Sequence, residues 1–214
     1  MDERPIRKAA SVICVRAGAR GPEVLVLQRS RTSRFLPGYI AFPGGAVEAG
    51  DEDRARRWFG DESHVQRATA VRELTEEVGL ALTASGLIGG ADLLAEVDAA
   101  PPDPDQMREM AHWVAPPSVP VRFDARYFAV EARSDAEPIP DGTEVASAWW
   151  APARDLLFDG ESGARKLYWP TLFTMRQLGA CASVDEVLSL VFATREPTDE
   201  DVAALPRAVM EQVP

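Results

Sequence analysis

Histidine and cysteine are nearly missing from this chain of 214 residues, which has two of each. Cys14 and Cys181 lie far apart. Two distant cysteines make neither a disulfide framework nor a cysteine zinc site, so a reducing, cytoplasmic location is expected. His64 and His112 show no metal-ligand spacing. Positive charge is also short: lysines number two, arginines twenty-one, and the net charge is −11. That balance argues against a nucleic-acid or anionic-membrane surface, because both need a basic face. It is compatible with a small anionic substrate held through a metal ion. No apolar run is long enough to span a bilayer. The first residues, MDERPIRKAA, lack the apolar stretch of a signal peptide, and the final EQVP is not a peroxisomal address. Nothing in the composition fixes the oligomeric state, a homodimer being one option.

What is present is an apolar content of 46%, enough for a sizeable core. Residues 10–18 and 23–29 are rich in β-branched residues and flank a glycine turn, so they predict a hairpin. YIAFPGG (39–45) begins as a strand and ends in a Pro-Gly-Gly turn. The charged segment 51–62 has no clear pattern. Ser63 with Gln66 predicts a capping box. Behind it Val65, Ala68, Val71, Leu74 and Val78 recur at helical spacing, with Gly79 as the stop. Further on, a short helix near 92–97, a strand at Trp113 and a strand at 146–150 are expected. Residues 170–180, with an N-terminal Pro and a terminal Gly, predict a helix. Residues 183–194 predict another, capped by Ser183 and presenting Val184, Val187, Leu188 and Val191 on one face. Residues after 201 form either a final helix or a loose tail. The whole reads as one domain of class α/β over 1–214, helical from about 170, without internal repeats.

The helix at 65–78 raises a problem. Glu73, Glu76 and Glu77 fall at i, i+3 and i+4, where like charges repel by a few tenths of a kcal/mol per pair. A solvated helix face is the ordinary reading of such a stripe. A hard divalent cation, Mg²⁺ or Mn²⁺, would instead turn the repulsion into coordination by oxygen ligands.

These residues resemble the box of the Nudix hydrolases, G-x5-E-x7-R-E-U-x-E-E-x-G-U with U aliphatic. Its second half stands complete as Arg72-Glu73-Leu74-Thr75-Glu76-Glu77-Val78-Gly79-Leu80. Its first half is Gly45 to Asp51, with Asp51 where the family usually has Glu. Twenty residues (52–71) separate Asp51 from Arg72 instead of seven, a thirteen-residue insertion at about 51–63. The insertion is expected to loop outward from the surface, anchored by Trp58 and Phe59. Residues 29–45, RSRTSRFLPGYIAFPGG, resemble the segment that precedes the box in Nudix enzymes cleaving coenzyme A. Residues 112–132 and 143–157 resemble the acyl-CoA diphosphatase branch, which also carries insertions in its box.

The resemblance implies a Nudix fold: an α/β/α sandwich with a mixed sheet and a catalytic loop-helix. It implies metal-dependent hydrolysis of a diphosphate in a nucleotide-type small molecule, coenzyme A or acyl-CoA foremost, with ADP-ribose or NADH as the rival substrates. A catalytically weak ligand-binding module is the non-enzyme alternative, and it would have lost a box glutamate. Glu76 and Glu77 would be the main metal ligands, joined by the Gly44 carbonyl. Glu73 would be a ligand or the base, with Arg72 pairing to it. One more acid from a later loop is expected, Glu144 ahead of Asp141. Arg29 and Arg126 are candidates for substrate phosphates, with Arg29 to Arg31 facing the 3′-phosphate of coenzyme A. Trp113, Trp149 and Trp150 are expected in the core rather than against a base, and Cys14 is expected buried and inert. The role of Asp51 is open.

Overall fold

The computed structural model describes residues 5–115, 121–132, 136–194 and 198. The expected hairpin is present as β1 (Ile6–Gly18) and β2 (Gly21–Arg29). Strand β1 also runs parallel to β8 (Arg122–Glu131), which pairs antiparallel with β7 (Arg108–Val114). On its far side β2 takes β9 (Val145–Pro152). A mixed sheet of seven strands results. Along β1 the side chains alternate, as a pleated strand requires. Val12 and Cys14 enter one apolar core, Ile13 and Val15 the other.

Residues 39–46 are a strand broken in two rather than a strand ending in a turn. β3 (Ile40–Ala41) pairs with β2, and β4 (Gly44–Ala46) pairs with β1. The crossing occurs at Phe42–Pro43, where proline has no N–H to give a ladder. Gly44 follows because β4 lies tight against β1. A Cβ there would sit 2.3 Å from the Ala10 carbonyl oxygen.

Helix α2 (Val65–Val78) covers one sheet face with Val65, Ala68, Val71, Leu74 and Val78, all buried as expected. Gly79, at φ 62°, ends it with its N–H on the Thr75 carbonyl. The opposite face carries α4 (Ala153–Glu161), α5 (Trp169–Gly179) and α6 (Val184–Ser189). Helices on both faces of a mixed sheet make the expected α/β/α sandwich. A hairpin of β5 (Leu80–Thr83) and β6 (Gly86–Gly89), followed by α3 (Leu93–Ala99), closes one end.

Three local expectations are corrected. The insertion is not an outward loop but a helix, α1 (Asp51–Phe59), broken from α2 by Gly60 and a 3-10 turn at Glu62–His64. It buries Asp51, Ala55 and Trp58 at i, i+4 and i+7. Trp58 does anchor it, donating from Nε1 to Asp98 at 2.6 Å. Ser63 and Gln66 form no capping box: Asp61 accepts from Ser63 N–H. The buried Gln66 amide instead donates to the Ala9 and Asp124 carbonyls, tying α2 to the β1–β8 pair. Finally, α6 stops at Ser189, so Val191 is exposed and the chain runs along β7, with Phe192 N–H on the Met110 carbonyl. The tail beyond 198 lies outside the described residues.

Candidate active site

The acidic stripe of α2 is not a solvated face. Glu77 is buried and Glu73 nearly so, while Glu76 is half exposed. Three elements meet at them. β4 supplies Gly44, whose N–H donates to Glu77 Oε2 at 2.8 Å. A side chain on Gly45 would displace the Glu73 carboxylate, because its Cβ would fall 2.1 Å from Glu73 Oε1. The loop before β9 supplies Glu144, which lines the same cavity as Glu73 and Glu77. β2 ends in Arg29, with Nη1 3.7 Å from Glu77 Oε1 and Nε donating to the Phe35 carbonyl.

Burial raises the Glu77 carboxyl to about 8, and the facing Glu73 and Glu144 push the same way. Burial likewise raises Glu73 to about 7, against the pull of Arg72. These are the signatures of negative charge held out of water with too little positive charge beside it. That donor set fits a hard divalent cation, which prefers carboxylate and carbonyl oxygens. Among the described residues, no three His, Cys, Asp or Glu side chains converge closely enough to hold an ion as they stand.

Arg72 is the fixed point of the site. It is buried, and its strongest partner is Asp51, whose two oxygens accept from Nε at 2.9 Å and Nη2 at 3.0 Å. Its Nη1 reaches Glu73 at 3.0 Å and Glu76 at 2.8 Å, and Nη2 also donates to the Ala46 carbonyl. Asp51 is fully buried and further accepts from Thr69 Oγ1 and Glu48 N–H. Burial would raise its carboxyl, but Arg72 and these donors hold it below the usual range. The residue whose role the sequence left open is thus the partner that orients Arg72. Glu48, also absent from the expected site, lines the cavity beside Glu73 and adds to its repulsion.

The other expected residues separate. Asp141 accepts from the N–H groups of Thr143, Glu144 and Val145, so it shapes the loop that presents Glu144. Arg126 lies on the α2 side of β8, paired with Glu109, and is not part of the cavity wall. Trp150 packs in the core, its Nε1 on the Ala136 carbonyl. Trp149 stacks under Arg165. Trp113 is buried and walls the cavity, edge-on to Trp169 at 4.7 Å. Cys14 is buried, its thiol pushed up to about 12 by burial.

From the acids the cavity runs inward for about 320 Å³ between the sheet and α5. Phe35, Phe42, Phe123, Tyr127, Tyr168 and Trp169 wall it. None of this lining was legible beforehand. It is assembled from separate elements, and only the aromatic residue types hinted at it. A larger recess of about 890 Å³ lies elsewhere, under Trp58 and Phe59, and contains none of the α2 glutamates.

The NUDIX domain family profile matches residues 5–169. The chain belongs to the Nudix hydrolase family. A crystal structure of a NUDIX hydrolase from Alicyclobacillus acidocaldarius is 33% identical, covers 90% of this chain and all of that one, and superposes with a TM-score of 0.78. A Caenorhabditis elegans protein named "Putative nudix hydrolase 7" is 28% identical over 189 residues. That match takes in 80% of this chain, and the chain spans 60% of the length of the relative. The NUDIX domain of Shewanella oneidensis NrtR, solved with ADP ribose, shares the fold at 15% identity and a TM-score of 0.52, covering 81% of this chain and 86% of that one. Nudix hydrolases generally use divalent metal ions. In this Nudix chain no helix among the described residues is long and apolar enough to cross a membrane.

Proposed function

We propose that this Nudix hydrolase cleaves the diphosphate of a nucleoside diphosphate derivative, with coenzyme A or acyl-CoA as substrate and Mg²⁺ or Mn²⁺ as cofactor. The products are 3′-phospho-AMP and 4′-phosphopantetheine or its acyl ester. One observation carries the reading. The buried carboxyls of Glu73 and Glu77 lie with Glu144 at the mouth of an aromatic-walled cavity, beside Arg29. A diphosphate at the acids leaves the organic arm of the substrate facing an apolar wall. The pre-box segment from Arg29 to Gly45, which resembles coenzyme A-cleaving relatives, contributes Arg29, Phe35, Phe42, Gly44 and Gly45 to this place.

Glu73, Glu77 and Glu144, with the Gly44 carbonyl, would hold the ion, which would supply positive charge to the phosphoryl oxygens. Glu76 joins this set by leaving Arg72. Glu73 serves either in this set or, left out of it, as the base that takes the proton of the attacking water. Arg72 fixes Glu73, and Arg29 offers its guanidinium to the diphosphate.

A substrate panel tests the proposal. Coenzyme A, acetyl-CoA, ADP-ribose and NADH are incubated with Mg²⁺ or Mn²⁺, and products are separated by chromatography. Release of 3′-phospho-AMP from coenzyme A at the highest kcat/KM is expected. Faster hydrolysis of ADP-ribose or NADH moves the substrate to that class, and turnover of none refutes the enzyme reading.

A further inference from the structure

Acids outnumber basic residues by eleven in this chain, yet three cations line one open recess of about 770 Å³ beside the proposed site. Its wall includes Arg31, Arg165 and Lys166, with Gln28, Gly38 and Asp159. Asp159 is the one acid there, and it accepts from Arg165 Nε at 3.1 Å. Among the described residues Arg31 and Lys166 form no ion pair. Both are exposed, and Lys166 Nζ rests only over the Tyr39 ring, 6.0 Å from its centroid. Among the described residues, no carboxylate of the recess compensates either cation.

The recess and the aromatic cavity are two sides of one wall. Loop 30–38 gives Arg31, Pro37 and Gly38 to the recess and Phe35 and Leu36 to the cavity. Segment 164–169 does the same, with Arg165 and Lys166 on one side and Tyr168 and Trp169 on the other. Gln28 Nε2 donates to the Gly38 carbonyl and pins the loop, while Ile40 N–H on the Lys166 carbonyl pins the segment. Arg29 faces the other way, onto Glu77 and the Phe35 carbonyl, so it belongs to the diphosphate end.

We infer that this recess binds a phosphomonoester carried by the substrate, with Arg31 and Lys166 as its recognising cations and Arg165 as a third, partly neutralised one. The inference rests on the coenzyme A reading, in which that group is the 3′-phosphate. Of the expected pair Arg29 and Arg31 it keeps Arg31 for this phosphate, releases Arg29 to the diphosphate and adds Lys166.

Binding of 3′-phospho-AMP and of AMP, measured by isothermal titration calorimetry without turnover, tests the recess separately from the reaction. The wild type is expected to bind 3′-phospho-AMP at least about tenfold more tightly than AMP, the scale of one charge-assisted contact. The double variant Arg31→Ala/Lys166→Ala is expected to lose that preference and keep its affinity for AMP. Both side chains are exposed, so the fold is not at risk. Equal affinities in the wild type, or a preference surviving in the double variant, overturn the inference. Inorganic phosphate is the third titrant. If it binds as tightly as 3′-phospho-AMP, the recess is a free-anion site and the substrate assignment fails. A protein that prefers 3′-phospho-AMP but leaves coenzyme A intact refutes the proposed reaction and leaves the recess standing.

Discussion

Glu77→Gln in the metal-free protein should stabilise the fold at alkaline pH and cost it about 1–2 kcal/mol at acid pH. The buried Glu77 carboxyl has its folded-state value raised from 4.5 to about 8. A raised carboxyl keeps its proton in the folded state while the unfolded chain loses it. Its contribution is therefore fully present below about pH 4.5 and is lost as pH climbs to about 8. Each pH unit in that window removes roughly 1.4 kcal/mol, so the wild-type penalty near pH 8 is on the order of 4 kcal/mol. Glutamine carries no such penalty. It keeps an oxygen for the Gly44 N–H, but its NH₂ then points toward Arg29, another donor, which costs about 1–2 kcal/mol. The net gain near pH 8 is about 2 kcal/mol, or roughly 4–8 °C in Tm for a chain of this size. Differential scanning fluorimetry at pH 5 and pH 8 in the presence of EDTA reads it. An equal shift at both pH values, or a loss at pH 8, refutes the account of Glu77 as an uncompensated buried charge.

Three other outcomes follow from the same geometry. Asp51→Ala removes the two-bond partner of the buried Arg72 guanidinium, and urea denaturation should show a loss of about 3–5 kcal/mol, with Asp51→Glu recovering part of it. Gly45→Ala drives a methyl into Glu73 and should cut kcat by at least about a hundredfold, while circular dichroism spectra stay native. Trp58→Ala empties the anchor of α1 and breaks the bond to Asp98, and urea denaturation should show a cost of about 3–5 kcal/mol.

Much of the fold could be read from local pattern because local pattern made it. The β1–β2 hairpin followed from β-branched runs around a glycine turn, and α2 from apolar spacing ending at Gly79. Helix α1 was hidden because its buried stripe begins with Asp51, a carboxyl whose burial depends on an arginine twenty-one positions away. The split of β3 and β4 was hidden because Pro-Gly-Gly reads as a turn wherever a strand changes partner. Gln66 was misread for a similar reason: its amide serves two distant strands rather than its own helix end. In the site, the acids and Arg72 announced themselves by spacing on one helix. Glu144 stood out by leading into a strand, whereas the assignment of Arg126 to phosphate ignored strand alternation, which sends it to the α2 side with Glu109. The aromatic cavity and the basic recess exist only in three dimensions, where loop 30–38 and segment 164–169 come side by side.

The central claim is that Glu73, Glu77 and Glu144, backed by Gly44 and Arg72, form an ion-dependent diphosphate-cleaving centre. The most direct measurement is kcat on coenzyme A across a Mg²⁺ titration, for the wild type and for Glu77→Gln, with 3′-phospho-AMP quantified by chromatography. The account predicts saturable, ion-dependent turnover in the wild type and a fall of about a hundredfold or more in the folded variant. Turnover by Glu77→Gln at the wild-type rate, or wild-type turnover undiminished in EDTA, would contradict it.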